Sequence, residues 1–239
     1  IKYYINNTAN TANFIKSCTD ASVKNIIFSS TAAVYGDSNQ EKYSENMETK
    51  PVSAYGFSKL FSERMLIDTC KSKNIKYIIF RYFNVAGSDP KKRTGQIVKN
   101  ATHLIKVACE TALGKRDKIQ IFGNNYDTKD GTCIRDYIHV WDLVTAHLKA
   151  ITYLQEGGVS KILNCGYGNG FSVLDVIKNV KKLSNVNFKT EIVPRRLGDP
   201  AKIIADNSLI LKYLKWNPKY NNLEKIVSDS LEWEKYSNN

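Results

Sequence analysis

The sequence lacks a glycine-rich phosphate-binding turn. Neither G-x-G-x-x-G nor G-x-x-G-x-x-G occurs in its 239 residues, so nothing in them predicts the strand, turn and helix that hold a dinucleotide pyrophosphate. Long apolar runs are also absent, because none reaches 18 residues and none resembles a secretory signal. We therefore expect a soluble, cytoplasmic protein with no membrane partner.

Cysteine, histidine and arginine are scarce. The five cysteines are scattered and include no C-x-x-C pair, which argues against the common zinc and redox motifs and predicts reduced thiols. The three histidines have no neighbours at metal-ligand spacing, so no metal site is predicted. Because only seven arginines are present, the positions of Arg135 and Arg196 are informative.

Positive charge is in excess, with a formal net charge of +12. Such a charge can attract nucleic acid. The lysines are spread along the chain in ones and twos, as at residues 91–92 and 181–182. No arginine-rich tract or aromatic platform accompanies them, so we expect no nucleic-acid partner.

Apolar periodicity predicts alternating helices and strands, which is typical of an α/β protein built on a parallel sheet. The predicted helices cover residues 7–18, 53–72, 102–113 and 141–153, and the predicted strands cover residues 25–28, 76–81, 119–122 and 162–165. Ser53 is placed to cap the second helix, and Gly114 is placed to end the third. From residue 171 onward we expect two helices and a strand near residues 188–193.

Tyr55 and Lys59 form the most informative pair in the sequence. A phenol with a pKa of about 10 is a poor base at neutral pH, so chemistry that uses one must stabilise its phenolate. Residues four apart lie on one face of a helix, so the Lys59 ammonium can flank the Tyr55 phenol in one cleft. Composition alone predicts roughly one or two such pairs by chance, so the surrounding residues decide how much the pair means.

A predicted strand that ends in hydroxyl residues supplies that context. Residues 24–28 form a short apolar run, typical of a buried parallel strand, and Ser29, Ser30 and Thr31 follow it directly. Small hydroxyl side chains at the carboxyl end of such a strand lie where open α/β sheets bind ligands. The alternative is that these three residues only form the turn into the next segment.

Four segments of the chain occur in the order known from one enzyme family. Together they resemble the UDP-glucose 4-epimerases of the extended short-chain dehydrogenase/reductase superfamily, and the likeness covers nearly the whole chain. Several of the motifs are shared with sister enzymes. The segments are residues 29–36 (SSTAAVYG), 53–59 (SAYGFSK), 81–87 (RYFNVAG) and 135–140 (RDYIHV).

The resemblance implies a Rossmann-like, doubly wound parallel sheet with a smaller α/β substrate lobe, and NAD as the cofactor. Residues 1–85 would form the C-terminal part of the NAD-binding domain. Residues 86–239 would form mainly the lobe for the nucleotide sugar, with residues 124–165 returning to the sheet. The family begins with a glycine-rich strand, turn and helix, so we expect this sequence to lack an N-terminal part on the order of 90 residues. The helices near residues 7–18 and 53–72 would form a homodimer interface.

The resemblance also implies roles at the cofactor. Tyr55 would be the acid/base, Lys59 would bond the nicotinamide ribose and lower the pKa of the phenol, and Thr31 would orient the sugar hydroxyl. In the implied reaction, C4 of the sugar gives its hydride to NAD and takes it back on the opposite face. The residues expected to lie against NAD are Asn6, Ser29, Ser30, Tyr55, Lys59 and Tyr82.

For the substrate, the resemblance assigns the diphosphate to Arg135 and Arg196. A planar guanidinium suits a pyrophosphate because it can bind two oxygens at once. The alternative for Arg135 is a structural ion pair with Asp136 or Asp142. His139, in the same motif, is implied to be a packing residue. The residues expected to contact the UDP-sugar are Thr31, Asn84, Leu104, Phe122, Arg135, Arg196 and Asp199.

Ala32 and Ala33 favour epimerisation over dehydration, since the sister dehydratases place acidic residues there. Ile203 lies where the family uses a large residue to exclude N-acetylated sugars and a small one to admit them, and isoleucine is intermediate. A UDP-N-acetylglucosamine 4-epimerase is therefore one alternative. Another is a catalytically silent remnant that binds a nucleotide sugar or a partner chain.

Overall fold

The structure is a computed structural model that describes residues 1–38 and 40–237. Its residues group into two compact units, and each unit draws on three stretches of the chain. The first unit comprises Ile1–Phe83, Ala146–Cys165 and Ala205–Asn217. The second comprises Asn84–Thr145, Gly166–Ile204 and the chain from Pro218.

Within the described ranges the chain forms ten strands and seven α-helices. The strands are β1 (Asn25–Thr31), β2 (Lys76–Tyr82), β3 (Asn84–Ala86), β4 (Lys118–Phe122), β5 (Ile134–Arg135), β6 (Tyr137–His139), β7 (Lys161–Cys165), β8 (Phe171–Ser172), β9 (Lys189–Val193) and β10 (Lys202–Ile203). The helices are α1 (Asn10–Asp20), α2 (Ala54–Lys73), α3 (Leu104–Ala112), α4 (Val140–Gln155), α5 (Val173–Ser184), α6 (Ser208–Leu214) and α7 (Leu223–Tyr236). A π-helical stretch, Tyr4–Ala9, precedes α1, and a 3-10 turn, Ala32–Val34, follows β1.

A parallel sheet with the order β1-β2-β7 forms the centre of the first unit. Ser30 is paired with Arg81 and Thr31 with Tyr82, and Tyr82 is also paired with Cys165. Because the three strands run in the same direction, these residues mark one edge of the sheet, the carboxyl edge, where such sheets bind ligands. The middle strand is buried over residues 78–80, as expected for a parallel strand covered on both faces.

Helix α2 begins close to the end of β1. The Ser53 side chain caps the helix, as predicted, by accepting a hydrogen bond from the Gly56 backbone nitrogen at 3.1 Å. Gly56 approaches the turn after β1 so closely that a Cβ on it would lie 2.5 Å from the Ala33 carbonyl oxygen and 2.9 Å from Pro51 Cβ. The first turn of α2 is therefore held against the carboxyl end of β1.

An apolar cluster fastens α1 and α2 to the sheet of the first unit. Burying one aliphatic side chain of this kind contributes about 1.5–3 kcal/mol to folding, so the cluster is a main source of the unit's stability. Its buried members are Ile15, Ile26, Phe28, Leu66, Cys70, Ile75 and Ile79.

The second unit contains three small sheets. β3 pairs with β6 and β4 pairs with β9, both in parallel, while β5 lies between β10 and β8. Helix α5 packs against both α3 and α7. An ion cluster also joins α7 to α3, because the buried Glu234 carboxylate accepts a hydrogen bond from Lys106 Nζ at 2.6 Å and a second one from Lys115.

The expected α/β class is confirmed, and every helix and strand predicted before residue 171 is present with ends shifted by no more than about three residues. Gly114 has a positive φ of 74° directly after α3, as its predicted role in ending that helix requires. We expected two helices after residue 171, but the structure has three, α5, α6 and α7, so that prediction is wrong. The additional helix, α6, spans 7 residues, a length at which apolar periodicity is a weak signal.

No helix formed by residues 1–38 and 40–237 combines the length and the apolar character that a bilayer span requires.

Candidate active site

Tyr55 lies in the first turn of α2 with 37% of its surface exposed. Its phenol lies close enough to the hydroxyl of Thr31, the last residue of β1, for that hydroxyl to influence its protonation. Burial raises the pKa of Tyr55 above its ordinary value, and the Thr31 hydroxyl opposes that rise. The structure therefore brings together two of the three residues predicted to be catalytic.

Lys59 follows one helical turn later, on the same face of α2 as Tyr55. Its ammonium lies 4.7 Å from the centre of the Phe28 ring of β1. Burial lowers the pKa of Lys59, while the negative charge of Glu63 acts in the opposite direction. The shift of the Tyr55 pKa described above has other causes, so the expected effect of Lys59 on that phenol stays a prediction.

A second phenol, Tyr82, lies at the carboxyl end of β2. Its hydroxyl donates a hydrogen bond to Ser29 Oγ at 2.5 Å and lies 2.9 Å from His147 Nε2. Burial raises the pKa of Tyr82 to about 12, and a negative charge on Tyr55 contributes to the same rise. Tyr82 is therefore a neutral hydrogen-bonding group at the same edge as Tyr55. Sequence reasoning missed His147, since a lone histidine on a helix gives no signal of a partner on a distant strand.

Ser30 turns away from the exposed edge. The residue is 2% exposed, and its hydroxyl donates a hydrogen bond to the Glu63 carboxylate of α2. Arg81 of β2 binds the same carboxylate. A contact between Ser30 and a cofactor would therefore come from its backbone. Sequence reasoning also missed Glu63, although its spacing of four residues from Lys59 places it on the same helix face.

Asn6 lies in the π-helical stretch and is exposed. Its neighbours connect this stretch to α2: Asn7 Nδ2 donates to Ser58 Oγ at 3.0 Å, and Thr8 Oγ1 donates to the Ser58 carbonyl oxygen at 3.0 Å. These bonds fix the position of the stretch, while the contact of Asn6 with a cofactor stays a prediction.

One cavity of the second unit collects the residues that are expected to bind substrate there. Its volume is about 670 Å³, which is within the range typical of small-molecule sites. Thr31, also expected at the substrate, belongs to the first unit. The other six predicted residues all line this cavity: Asn84, Leu104, Phe122, Arg135, Arg196 and Asp199.

Arg135 forms an ion pair with Asp199 within this cavity. Its ion partner is thus Asp199 rather than Asp136 or Asp142. These two carboxylates are buried and accept hydrogen bonds from the backbone or hydroxyl groups of Tyr167, Gly168, Lys219 and Tyr220. Asp136 and Asp142 therefore hold loops of the second unit in place, and Arg135 remains a residue of the cavity wall.

Two neighbouring arginines lie on aromatic rings. The Arg196 guanidinium is 3.7 Å from the centre of the Phe122 ring, and the Arg195 guanidinium is 3.9 Å from the centre of the Tyr126 ring. Both distances are typical of cation–π contacts. Arg195 Nε also donates a hydrogen bond to Asn125 Oδ1 at 2.7 Å. Arg195 thus fastens a loop, whereas Arg196 lines the cavity.

His139 is a packing residue, as expected. It is 0% exposed, and its ring stacks on that of Tyr220 with the centres 4.5 Å apart. Its Nε2 donates a hydrogen bond to Asp229 Oδ2 at 3.1 Å, and its Nδ1 accepts one from the Trp141 backbone nitrogen at 3.0 Å. Burial lowers the pKa of His139, which Asp229 opposes. With both ring nitrogens engaged, this side chain is not available as a catalytic base.

The carboxyl edge of the first unit fits the nicotinamide end of a dinucleotide. Tyr55 and Tyr82 provide hydroxyl groups there, and Lys59 provides an ammonium, which are groups that can bond a ribose or a carboxamide. The pyrophosphate of such a cofactor is usually held by a glycine-rich turn, and residues 1–239 contain none.

Comparison with known proteins gives the family of the chain. The model of the NAD dependent epimerase/dehydratase family matches residues 1–166. The UDP-glucose 4-epimerase of Azospirillum brasilense is 46% identical over 235 residues, which are 98% of this chain and 68% of that protein. The UDP-Glc/GlcNAc 4-epimerase structure from Campylobacter jejuni is 51% identical with a TM-score of 0.83, over 98% of this chain and 71% of the other.

Another solved structure that resembles this chain contains a bound cofactor and a bound nucleotide. The UDP-glucose 4-epimerase of Bifidobacterium longum, in complex with NAD+ and UDP, is 36% identical with a TM-score of 0.94, over 100% of this chain and 72% of the other. The fold is thus Rossmann-like, and NAD is the cofactor of the family. The chain belongs to the NAD-dependent epimerase/dehydratase family.

Proposed function

We propose that the protein interconverts UDP-galactose and UDP-glucose by inverting C4 of the sugar, with NAD as cofactor. The observation that carries the proposal is the placement of Tyr55 and Lys59 one turn apart on α2, whose first turn is packed against the end of β1, where Thr31 lies. Relatives that are UDP-glucose 4-epimerases support this reaction. Ala32 and Ala33 support it too, because the turn after Thr31 offers no carboxylate for a dehydration.

The first unit supplies the proton transfer. Tyr55, as phenolate, takes the proton of the 4-hydroxyl and later returns it, while Thr31 orients that hydroxyl. Lys59 stabilises the phenolate through its positive charge and bonds the nicotinamide ribose. NAD, when bound, accepts and returns the hydride of C4, so the sugar passes through a 4-keto form without net oxidation.

The second unit binds the nucleotide part of the substrate. Arg135 and Arg196 bind the diphosphate, since two guanidiniums in one cavity provide both charge and paired donors. Asp199 contacts the uridine side of the substrate, and it becomes available when the diphosphate takes its place on Arg135. Asn84, Leu104 and Phe122 complete the lining.

We also infer a cytoplasmic homodimer that forms through the helices near residues 7–18 and 53–72. The support is a set of large apolar side chains exposed on α1 and α2, because clusters of that kind mark interaction surfaces. Phe14 is 52% exposed, Phe57 39% and Phe61 47%. Sedimentation of the wild type and of Phe61→Glu tests this: a dimer that the substitution dissociates is expected, and a wild-type monomer at micromolar concentration contradicts it.

The test of function is conversion of UDP-galactose to UDP-glucose by the purified chain with NAD added. We expect turnover in the wild type and its loss in Tyr55→Phe, with the bound nucleotide retained. Tyr236→Phe is the matched control, since Tyr236 is 57% exposed near the end of α7 and should leave turnover unchanged. Equal turnover in the wild type and Tyr55→Phe would overturn the proposal.

The same assay separates the alternatives. Turnover of UDP-N-acetylgalactosamine at a rate above that of UDP-galactose would favour the UDP-N-acetylglucosamine 4-epimerase. A folded chain that binds UDP but turns over neither sugar, even with saturating NAD, would favour the catalytically silent remnant.

A further inference from the structure

Glu63 is a buried carboxylate that the mechanism above does not use. It lies on α2, one turn after Lys59 and two turns after Tyr55, and it is 1% exposed. A carboxylate removed from water is costly unless hydrogen bonds and a counter-ion satisfy it. Its partners therefore indicate what it does.

One carboxylate group joins three elements of the first unit. Glu63 Oε1 accepts hydrogen bonds from Arg81 Nε at 3.1 Å and from the Ser30 hydroxyl, while Oε2 accepts one from Arg81 Nη2 at 2.7 Å. Ser30 and Arg81 are paired with each other across β1 and β2. Glu63 thus fixes α2 to both strands at a single level, one residue before the site residues Thr31 and Tyr82.

Arg81 is itself held from its other side. Its guanidinium lies 4.8 Å from the centre of the Tyr35 ring, and the Tyr35 hydroxyl donates a hydrogen bond to Asn164 Oδ1 at 2.6 Å. Burial disfavours the charged guanidinium, but the hydrogen bonds and charge of Glu63 outweigh burial and raise the pKa of Arg81. Arg81 is therefore held as a cation between Glu63 and the Tyr35 ring.

A buried ion pair is weak support for stability, because well-packed apolar residues often serve as well. The Glu63–Arg81 ion pair matters more for geometry than for stability. Its two hydrogen bonds, together with the third from Ser30, fix both the distance and the rotation of α2 relative to β1. Tyr55 and Thr31 lie on these same two elements, so the distance between their hydroxyl groups depends on that placement.

The charge of Glu63 also reaches Lys59. Burial lowers the pKa of Lys59 and Glu63 opposes this. Among the residues that the structure describes, the other ionisable groups near this part of α2 are the Tyr55 phenol on the helix itself, Tyr3 and Tyr4 from the N-terminal stretch, and Arg81 with Tyr82 from β2. β1 contributes hydroxyl groups and the Phe28 ring. Glu63 therefore supplies the negative charge that favours an ammonium at Lys59.

We propose that Glu63 is a positioning residue for the epimerase reaction, which holds Tyr55 close to Thr31 by binding Ser30 and Arg81 and places a carboxylate one helical turn from Lys59. The proposal rests on the function proposed above. It assigns Glu63 two separable effects, one through its shape and one through its charge, and different substitutions remove them.

The first test is Glu63→Gln in the full chain with NAD. We expect kcat to fall on the order of tenfold, with KM for UDP-galactose within about twofold, because no substrate contact is lost. The alkaline limb of the kcat profile should move to lower pH, since Lys59 loses its proton more readily without the carboxylate. A purely structural role would lower thermal stability and the active fraction but leave the pH profile where it was.

Two further variants separate shape from charge. Glu63→Asp keeps the charge but shortens the reach, so kcat should fall while the alkaline limb stays in place. Ser30→Ala removes one hydrogen bond and leaves the ion pair with Arg81 intact, so it should fold and show the same pattern. Glu234→Gln is the matched control, because it neutralises a buried, lysine-paired carboxylate of the second unit and should lower stability without moving the profile.

A readout that needs no turnover distinguishes failure of this proposal from failure of the proposed function. NMR titration of the Lys59 side chain should give a lower pKa in Glu63→Gln than in the wild type. An unchanged Lys59 titration, or a folded Glu63→Gln variant with wild-type kcat and pH profile, overturns the positioning role. If the Lys59 titration shifts as expected but the wild-type protein itself turns over no UDP-galactose with NAD added, the proposed epimerase function is overturned instead.

Discussion

Arg135 and Asp199 form an ion pair with each other in the cavity of the second unit, with side chains that are 11% and 27% exposed. A diphosphate that binds there has to compete with a carboxylate for the same guanidinium. If Arg135 binds the diphosphate as proposed, binding exchanges one charge-assisted partner of Arg135 for another.

Arg135→Lys should separate charge from geometry at the diphosphate. Lysine keeps the positive charge but lacks the planar fork that binds two oxygens. We expect the affinity for UDP to fall by about 10- to 100-fold, equivalent to about 1.4–2.8 kcal/mol, while the affinity for uridine changes by less than about twofold. Calorimetric titration with both ligands measures this. Arg93→Lys, at a salt bridge with Asp89, is the control, and an equal loss for UDP and uridine would contradict the assignment.

The two cation–π contacts allow a matched comparison. Phe122→Leu removes the ring under Arg196, and we expect UDP affinity to fall because the guanidinium loses a contact worth about 0.5–2 kcal/mol. Tyr126→Leu removes the ring under Arg195, which fastens a loop, so it should lower the melting temperature and leave UDP affinity within about twofold. The assignment fails if the two substitutions weaken UDP binding equally.

Thr31→Val should change the acid limb of the rate profile. The Thr31 hydroxyl lowers the pKa of Tyr55, so its removal raises that pKa and reduces the phenolate present near neutral pH. We expect kcat to fall about 10- to 100-fold and the acid limb to move to higher pH. Thr31→Ser, which retains the hydroxyl, should stay close to the wild type. A lower kcat with an unmoved acid limb would show that Thr31 acts without tuning the phenol.

His139 should make stability depend on pH. In the folded chain, burial holds the pKa of His139 below the value near 6.5 that is expected for the unfolded chain. At a pH between the folded and the unfolded pKa, the unfolded chain therefore binds a proton that the folded chain does not. The stabilisation is therefore complete above pH 6.5 and is lost as the pH falls through that window, by at most about 1.4 kcal/mol per pH unit. Urea unfolding between pH 7.5 and 5 measures the slope. It should persist in His103→Gln, an exposed control, and flatten in His139→Asn.

Local signals in the sequence predicted the elements that carry the candidate site. The apolar run before Ser29 indicated β1, and Ser53 marked the start of α2, because a buried strand and a helix cap are each encoded by a few adjacent residues. The family resemblance also identified six of the residues that line the second unit's cavity. The strand and the helix cap are recognisable from a few adjacent residues, whereas the cavity residues required the likeness over nearly the whole chain.

Long-range pairings could not be predicted in the same way. Glu63 and Arg81 are 18 positions apart, Tyr82 and His147 are 65 apart, and Arg135 and Asp199 are 64 apart. Nothing in the composition of either partner specifies the other, because each pairing depends on how helices and strands pack. The two-residue strands β5, β8 and β10 were equally hidden, since they are too short to show a period.

Gly56 has a consequence for how this protein can vary. It follows Tyr55 in the chain, and the space for its missing side chain is filled by the Ala33 carbonyl and by Pro51. Any larger residue at position 56 would push the first turn of α2 away from the end of β1 and carry the phenol with it. Tyr55 could thus be moved away from Thr31 with both residues intact. If Tyr55 acts as proposed, a related chain that has replaced this glycine should lose activity even where its tyrosine and lysine remain.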